Sequence, residues 1–287
     1  MTEDRNVKEL REGEWQALAR LLADEDLRVL NLLEEQFRGM GAHGLQFLET
    51  TAKEGEPASR RGARQILQVI REGESTQAFH RFCAHCGSHF DLEAACWLLA
   101  KTRYPELDEG AYHARLDQMG RELRERLTGR ETPRATIEVC NHYLFRILGF
   151  RGNDQDYYDP DNSYLHRVLD RRLGIPITLS VVYLLVAKRL NLPLHGVNLP
   201  GHFLLKWQTE GVQFFIDPFH QGQLRQEEDC RRMCEQLAMG FHPAYLAAAT
   251  PRQVLLRMCR NLQAIYKESD AVRAGKLQRF ISLLAGE

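Results

Sequence analysis

Residues 174–207 read GIPITLSVVYLLVAKRLNLPLHGVNLPGHFLLKW, and residues 214–222 read FFIDPFHQG. The first stretch opens on a helix-length apolar segment between Gly174 and Pro193. Proline and glycine at those ends are the usual punctuation of a helix. Period-two alternation begins only after Pro193, which predicts strands over His195–Leu199, Phe203–Gln208 and Gln213–Ile216. Thr209-Glu210-Gly211 supplies the turn of a hairpin. The expected unit is therefore a buried helix followed by a small antiparallel sheet, with His202 on one strand and Asp217 ending another. No cysteine occurs between Cys140 and Cys230.

Upstream, GFRGNDQDYYDPDNSY (149–164) is a loop rich in Gly, Asn and Asp. Ser163 or Asn162 can cap the short helix that carries Leu165, Val168 and Leu169. Thr132-Pro133 opens an apolar helix with Ile137, Cys140, Leu144, Ile147 and Leu148. A long helix is expected from about Glu109 to Leu127. The tail from Thr250 reads as two antiparallel helices, marked by Leu255, Met258, Leu262 and Ile265, then Ala271, Ala274, Leu277 and Ile281.

The first 75 residues are helical by pattern. Trp15, Leu18, Leu21 and Leu22 share a face, and Asp24-Glu25-Asp26 supplies a turn and an N-cap before Leu27, Leu30, Leu33 and Phe37. Gly39-Met40-Gly41 separates a third helix, His43–Ala52. Gly55-Glu56-Pro57, with Ser59 as a cap, precedes a fourth helix lined by Ala63, Ile66, Leu67 and Ile70. Two helix pairs of about 40 residues each have the period of a HEAT-type array. The stretch LARLLADEDLRVLNLLEEQF resembles one such repeat.

The chain has 287 residues, 44% of them apolar and 27% charged, and a formal charge of −1. A near-neutral balance gives no global field toward nucleic acid. The longest apolar run, Val181–Ala187, is too short to cross a bilayer. An acidic N-terminus, MTEDRNVKELREGEW, lacks the apolar core of a signal peptide, so the expected location is the cytoplasm. Seven scattered cysteines fit reduced thiols better than a disulfide framework. HRFCAHCGSHF places His80, Cys83, Cys86 and His89 three residues apart. A knuckle broken at Gly87 would suit zinc. An unbroken helix would instead wind these residues off one face and leave the cysteines as packing groups. Packing is the expectation, with no cofactor.

The central block resembles the bacterial SirB-type proteins of the transglutaminase-like superfamily over residues 90–285. The resemblance rests on NSYL, GIPITLS, LPGHF and IDPF, in order and with short gaps, within FRGNDQDYYDPDNSYLHRVLDRRLGIPITLS and its continuation. A related domain occurs in a eukaryotic F-box protein, and the tail resembles the start of a tetratricopeptide-like region. The resemblance implies a papain-like core in which a nucleophile starts a helix while His and Asp follow on strands. Here the nucleophile slot, Ile175–Thr178, holds no thiol.

What remains for catalysis is Thr178 or Ser180, with His202 as base and Asp217 orienting it. Thr178 reads equally as an N-cap, Ser180 as a small core residue, and His202 as a core histidine bonded to Asp217. Asn162, Tyr164, His166 and Gly201 are expected to line the same cleft. The expected fold is mainly α (α+β). It comprises a HEAT-like helical region (1–89), a transglutaminase-like core with a small antiparallel sheet (90–249) and a C-terminal helix pair (250–287). The expected function is a non-catalytic module that binds a protein or peptide, with no nucleic acid or membrane partner. The competing reading is a hydrolase or acyltransferase.

Overall fold

The structure, a computed structural model, describes residues 11–238 and 240–286. The chain divides into two compact units. One ends at Ala78 and includes Lys101–Pro105; the other holds Phe79–Ala100 and the chain from Glu106 onward.

The first unit is helical: α1 (Glu12–Leu21), α2 (Leu27–Gly39), α3 (Gly41–Glu54) and the first part of α4 (Pro57–His85). Asp26 caps α2 by accepting from the Arg28 N–H. Leu18, Leu22, Leu30, Phe37, Leu48, Ile66 and Ile70 form its core. Ser59 is not a cap. It is buried inside α4 and its hydroxyl donates to the Ala19 carbonyl at 2.8 Å. The neighbouring turn of α4 sits so close that a Cβ on Gly62 would lie 2.0 Å from the Leu22 oxygen.

The fourth helix does not stop at the end of its apolar stripe but runs on to His85. His80 and Cys83 are therefore helical, as an unbroken pattern requires. Cys83 is buried, while His80 and His89 are exposed.

The second unit continues with α5 (Leu92–Lys101), α6 (Glu109–Arg126) and α7 (Pro133–Asn141). Its helix α7 passes directly into a π-helical turn, His142–Ile147. After a two-residue strand, β1 (Arg151–Gly152), come a 3-10 turn (Pro160–Asn162) and α8 (Leu165–Arg171). Then β2 (Leu173–Gly174) pairs in parallel with β1, and α9 (Pro176–Arg189) follows.

Helix α9 is buried nearly all round, from Pro176 through Val182 and on to Ala187. Such a helix is the centre of its domain rather than an amphipathic cover. Each fully buried Leu, Ile or Val adds about 1.5–3 kcal/mol relative to exposure. Its last turn is held by Arg189, which donates to Glu93 at 2.9 Å and to Asp117 at 2.7 Å.

The sheet runs β3 (Leu194–Val197), β4 (Leu204–Thr209), β5 (Val212–Asp217) and β6 (Gln223–Arg225), each antiparallel to the next. Helix α10 (Glu227–Gln236) lays Cys230 and Cys234 onto a cluster with Val197, Leu204 and Phe215. The outer side of β3 is closed by the segment after the 3-10 turn Pro243–Leu246. Ala248 bridges Val197, and the Ala249 N–H donates to the Gly196 carbonyl at 2.8 Å. The buried Lys206 pins this segment by donating to the Leu246 carbonyl at 2.9 Å.

Helices α11 (Pro251–Ser269) and α12 (Ala271–Ala285) form the C-terminal pair. Arg252 ties the pair to the end of α4 through the carbonyls of Leu284 and Cys86, at 2.7 and 2.6 Å.

Candidate functional site

Asp217 ends β5 and has no exposed surface. Pro218 follows and turns the chain into a 3-10 helix (Pro218–His220) whose first N–H would be free in any case. That tight turn returns His220 to the carboxylate it has just left. Asp217 thus accepts from His202 Nε2 at 2.9 Å through Oδ1, and from His220 Nδ1 at 2.8 Å through Oδ2. Arg225 on β6 adds a more distant cation, 3.6 Å from Oδ2. Burial pushes the Asp217 carboxyl up, but the bonds and charges of the two imidazoles outweigh it and hold the group below the usual carboxylate range.

An ionised carboxylate only accepts, so each ring nitrogen facing it carries a proton. In its neutral form the His202 ring is thereby held in the Nε2–H tautomer, with Nδ1 as the acceptor. His202 lies in the turn before β4 rather than on a strand. The turn depends on Gly201, whose φ of +71° belongs to the left-handed region. The ring is mostly covered, its side chain 12% exposed, and Phe219 meets it edge-on at 6.3 Å. Tyr157, from the loop before α8, meets Phe219 in turn at 6.1 Å.

Neither hydroxyl of the expected slot meets that imidazole in a hydrogen bond. Thr178 is the third residue of α9, and Ile175 holds the N-cap position. The Thr178 hydroxyl accepts from the Ile175 N–H at 3.1 Å and donates to the Asn162 carbonyl at 2.7 Å. Both of its roles are taken by backbone. Ser180 is fully buried and its hydroxyl has no hydrogen-bond partner. Cys140 is buried in the core, where burial pushes its thiol up to about 12 despite a contact with Tyr183. Among the described residues, no thiol or hydroxyl hydrogen-bonds the His202 ring.

The residues expected to line the cleft separate into different tasks. Asn162 is wholly buried and organises the 153–162 loop. Its amide donates to the Asp156 carbonyl at 2.7 Å, and its oxygen accepts from Asn153 at 3.0 Å. Neither Asn162 nor Ser163 caps α8, whose N-cap position is Tyr164 with no side-chain bond. Tyr164 is buried with its hydroxyl 3.2 Å from that of Tyr266 on α11. His166 is buried beside Tyr112, and burial lowers its pKa to about 4. Gly201 precedes His202 in the chain and borders a cleft.

Three groups escaped the pattern reading. His220 was hidden because DPFH looks like turn chemistry, although a three-residue spacing across a prolyl turn is what returns its ring to Asp217. Asn141 sits where α7 passes into the π-turn, donates to the Gly222 carbonyl at 2.8 Å and accepts from Tyr183 at 3.2 Å. Arg257 on α11 borders the cleft beside Gly201.

Metal binding has one candidate set among the described residues, His202, Asp217 and His220, whose donor atoms lie within 4.8 Å of one another. The set already forms a closed pattern of two hydrogen bonds, with Arg225 close to the shared carboxylate. That cation opposes another positive charge at the same oxygen. His80, Cys83, Cys86 and His89 form no such cluster; Cys86 is partly covered and its carbonyl accepts from Arg252.

The profile of the transglutaminase-like superfamily matches residues 110–260. A UPF0162 protein of Xylella fastidiosa is 36% identical over 185 residues, 62% of this chain and 66% of the relative. A UPF0162 protein of Pseudomonas aeruginosa is 31% identical over 199 residues, covering 67% of this chain and 71% of the relative. F-box only protein 21 of Mus musculus is 36% identical over 151 residues, half of this chain but 24% of the relative. The match thus spans about two thirds of the Xylella protein and a quarter of the mouse one. No solved structure matches the chain.

Proposed function

The chain belongs to the transglutaminase-like superfamily, and from that premise we propose that its His202 cleft binds a protein or peptide segment without acylating itself. One observation carries this reading. The imidazole and its carboxylate keep a 2.9 Å bond, while the hydroxyl at the helix start is consumed by the Asn162 carbonyl and the Ile175 N–H. A base with a set tautomer but no nucleophile can hold a ligand N–H or O–H at Nδ1 without forming a covalent intermediate. The likeness to an F-box only protein supports a role in protein interactions. In this proposal the N-terminal helices are HEAT-like, α11 and α12 begin a tetratricopeptide-like array, and the protein is a SirB-type regulator in the cytoplasm. Paired helices of these kinds present extended binding faces.

The experiment combines capture of partners with wild type and His202→Ala and intact-mass analysis after exposure to activated esters. The expected result is a changed partner set and no acyl adduct. Identical partner sets remove the cleft from the binding surface. An adduct on Thr178 or Ser180 restores the second reading, a hydrolase or acyltransferase using either hydroxyl with His202 and Asp217. That reading is favoured by Ser180, whose hydroxyl is buried without a hydrogen-bond partner.

A further inference from the structure

The loop after β3, the 243–249 segment and the start of α11 enclose a cleft of about 540 Å³. Asn198, Gly201, Tyr245, Ala248, Gln253 and Arg257 are among its walls. The Arg257 Nη1 donates to Asn198 Oδ1 at 2.9 Å. Among the described residues, no carboxylate forms an ion pair with this guanidinium. Burial disfavours its charge, Tyr157 favours it and Arg260 opposes it. A guanidinium does not lose its proton in a protein. It therefore stands in a partly desolvated wall as a cation without a counter-ion, an arrangement that costs free energy until an anion arrives. Helix α11 begins at this wall and adds the positive end of its dipole.

We propose that this cleft binds a carboxylate carried on a peptide, with Arg257 as its anchor. The proposal rests on reading the His202 cleft as a peptide site and names the chemistry that site selects. Gly201 borders the cleft and is joined directly to His202. The turn that carries the imidazole therefore adjoins one wall of this cleft. With Nη1 committed to Asn198, the guanidinium keeps its Nε and Nη2 donors, whose spacing matches the two oxygens of a planar carboxylate. Arg257 is the one charged side chain among the lining residues, which otherwise offer neutral groups, the amides of Asn198 and Gln253, the Tyr245 ring, and small apolar residues such as Pro200 and Ala247. One cation among neutral walls suits a singly charged carboxylate on a peptide better than a phosphate dianion.

The test is affinity selection, read by mass spectrometry, from three pools of N-acetylated tetrapeptides. One pool ends in a free carboxylate, one is neutral with a C-terminal amide, and one carries an internal Glu with a C-terminal amide. The full-length protein is expected to retain the first or third pool at least about tenfold over the neutral pool, the range of a charged hydrogen bond. Whichever pool is retained identifies the source of the carboxylate, a chain end or a side chain. Arg257→Gln is expected to abolish the preference without lowering the melting temperature, since it removes a partly desolvated charge that has no counter-ion. A merely structural Arg257 would show the reverse, a lower melting temperature and an unchanged preference. Equal retention of all pools overturns the carboxylate anchor and leaves the peptide site standing. Retention of none overturns both.

Discussion

The Thr178 hydroxyl donates to the carbonyl oxygen of Asn162 at 2.7 Å, tying the first turn of the central helix to the loop before α8. That bond makes Thr178 a clamp. Thr178→Val keeps the shape and removes the hydroxyl, leaving a buried carbonyl and a buried N–H short of a partner. Urea denaturation is expected to show a loss of about 1–3 kcal/mol. Thr178→Ser is expected to recover most of it. A neutral Thr178→Val would mean that the clamp is not holding the loop.

Asp217 is the shared acceptor of two imidazoles and has no exposed surface. Asp217→Asn is expected to lose about 3 kcal/mol near neutral pH, as for breaking a buried pair. The folded pKa is held below the ordinary value, so the carboxylate's contribution is complete above the unfolded value of 3.8. It is lost as pH falls through the lower folded value. Stability curves of wild type and variant should therefore converge in acid, and parallel curves down to the lowest accessible pH would contradict this.

His166 gives a second acid dependence at higher pH. Its pKa falls from 6.5 to about 4 through burial. The unfolded chain then binds a proton that the folded one refuses. The stabilisation is full above the unfolded value and is lost as pH drops from 6.5 to about 4, amounting to about 3 kcal/mol. His166→Phe keeps an aromatic ring beside Tyr112 and does not titrate. Thermal melts across that window are expected to show a flatter slope for the variant.

At Gly201 two penalties can be separated. Its φ is +71°, and an added Cβ would lie 2.3 Å from Leu237 Cδ1. Gly201→Ala is expected to lose about 1–3 kcal/mol. Leu237 is half exposed and its removal is mild, so Leu237→Ala in the Gly201→Ala background should recover the steric part and leave the backbone part. A double-mutant cycle with no coupling would show that the leucine simply moves aside.

Thiol titration checks the reading of the cysteines as packing groups. All of the seven are free, and each is buried except Cys86. In Cys83, burial pushes the thiol up to about 12. A thiol-reactive dye is expected to label Cys86 first in the native protein and the others only on denaturation, with zinc below a tenth of an equivalent per chain, roughly what a tight site would exceed.

The central helix and the hairpin were legible because their signals are local. Pro176 and Pro193 bracket an apolar segment, and alternating residues flank Glu210-Gly211. The capping of α2 by Asp26 was equally visible. The long run of α4 was not, because its apolar stripe fades after Ile70 while nothing as disruptive as proline stops the helix before His85. The strand β6 was missed because Gln223–Arg225 has no alternation of its own and forms only by pairing with β5. Of the site, His202 and Asp217 stood out as an ordered pair. The fate of Thr178, Asn162 and His220 depended on which backbone or carboxylate each finally meets, which spacing does not encode. Arg257 was invisible for a related reason: a basic residue on a helix looks solvated until the walls around it are known.

The closing of β3 by Ala248 and Ala249 has a consequence for self-association. An unpaired strand margin is a template onto which another molecule can add. Here that margin is occupied by the molecule's own chain, held by the Ala249 N–H on the Gly196 carbonyl, by Leu246 packed beside Val197, and by the Lys206 ammonium on the Leu246 carbonyl. The seam onto which a second copy could stack is filled from within, so the segment that shapes the cleft also guards the chain against polymerisation.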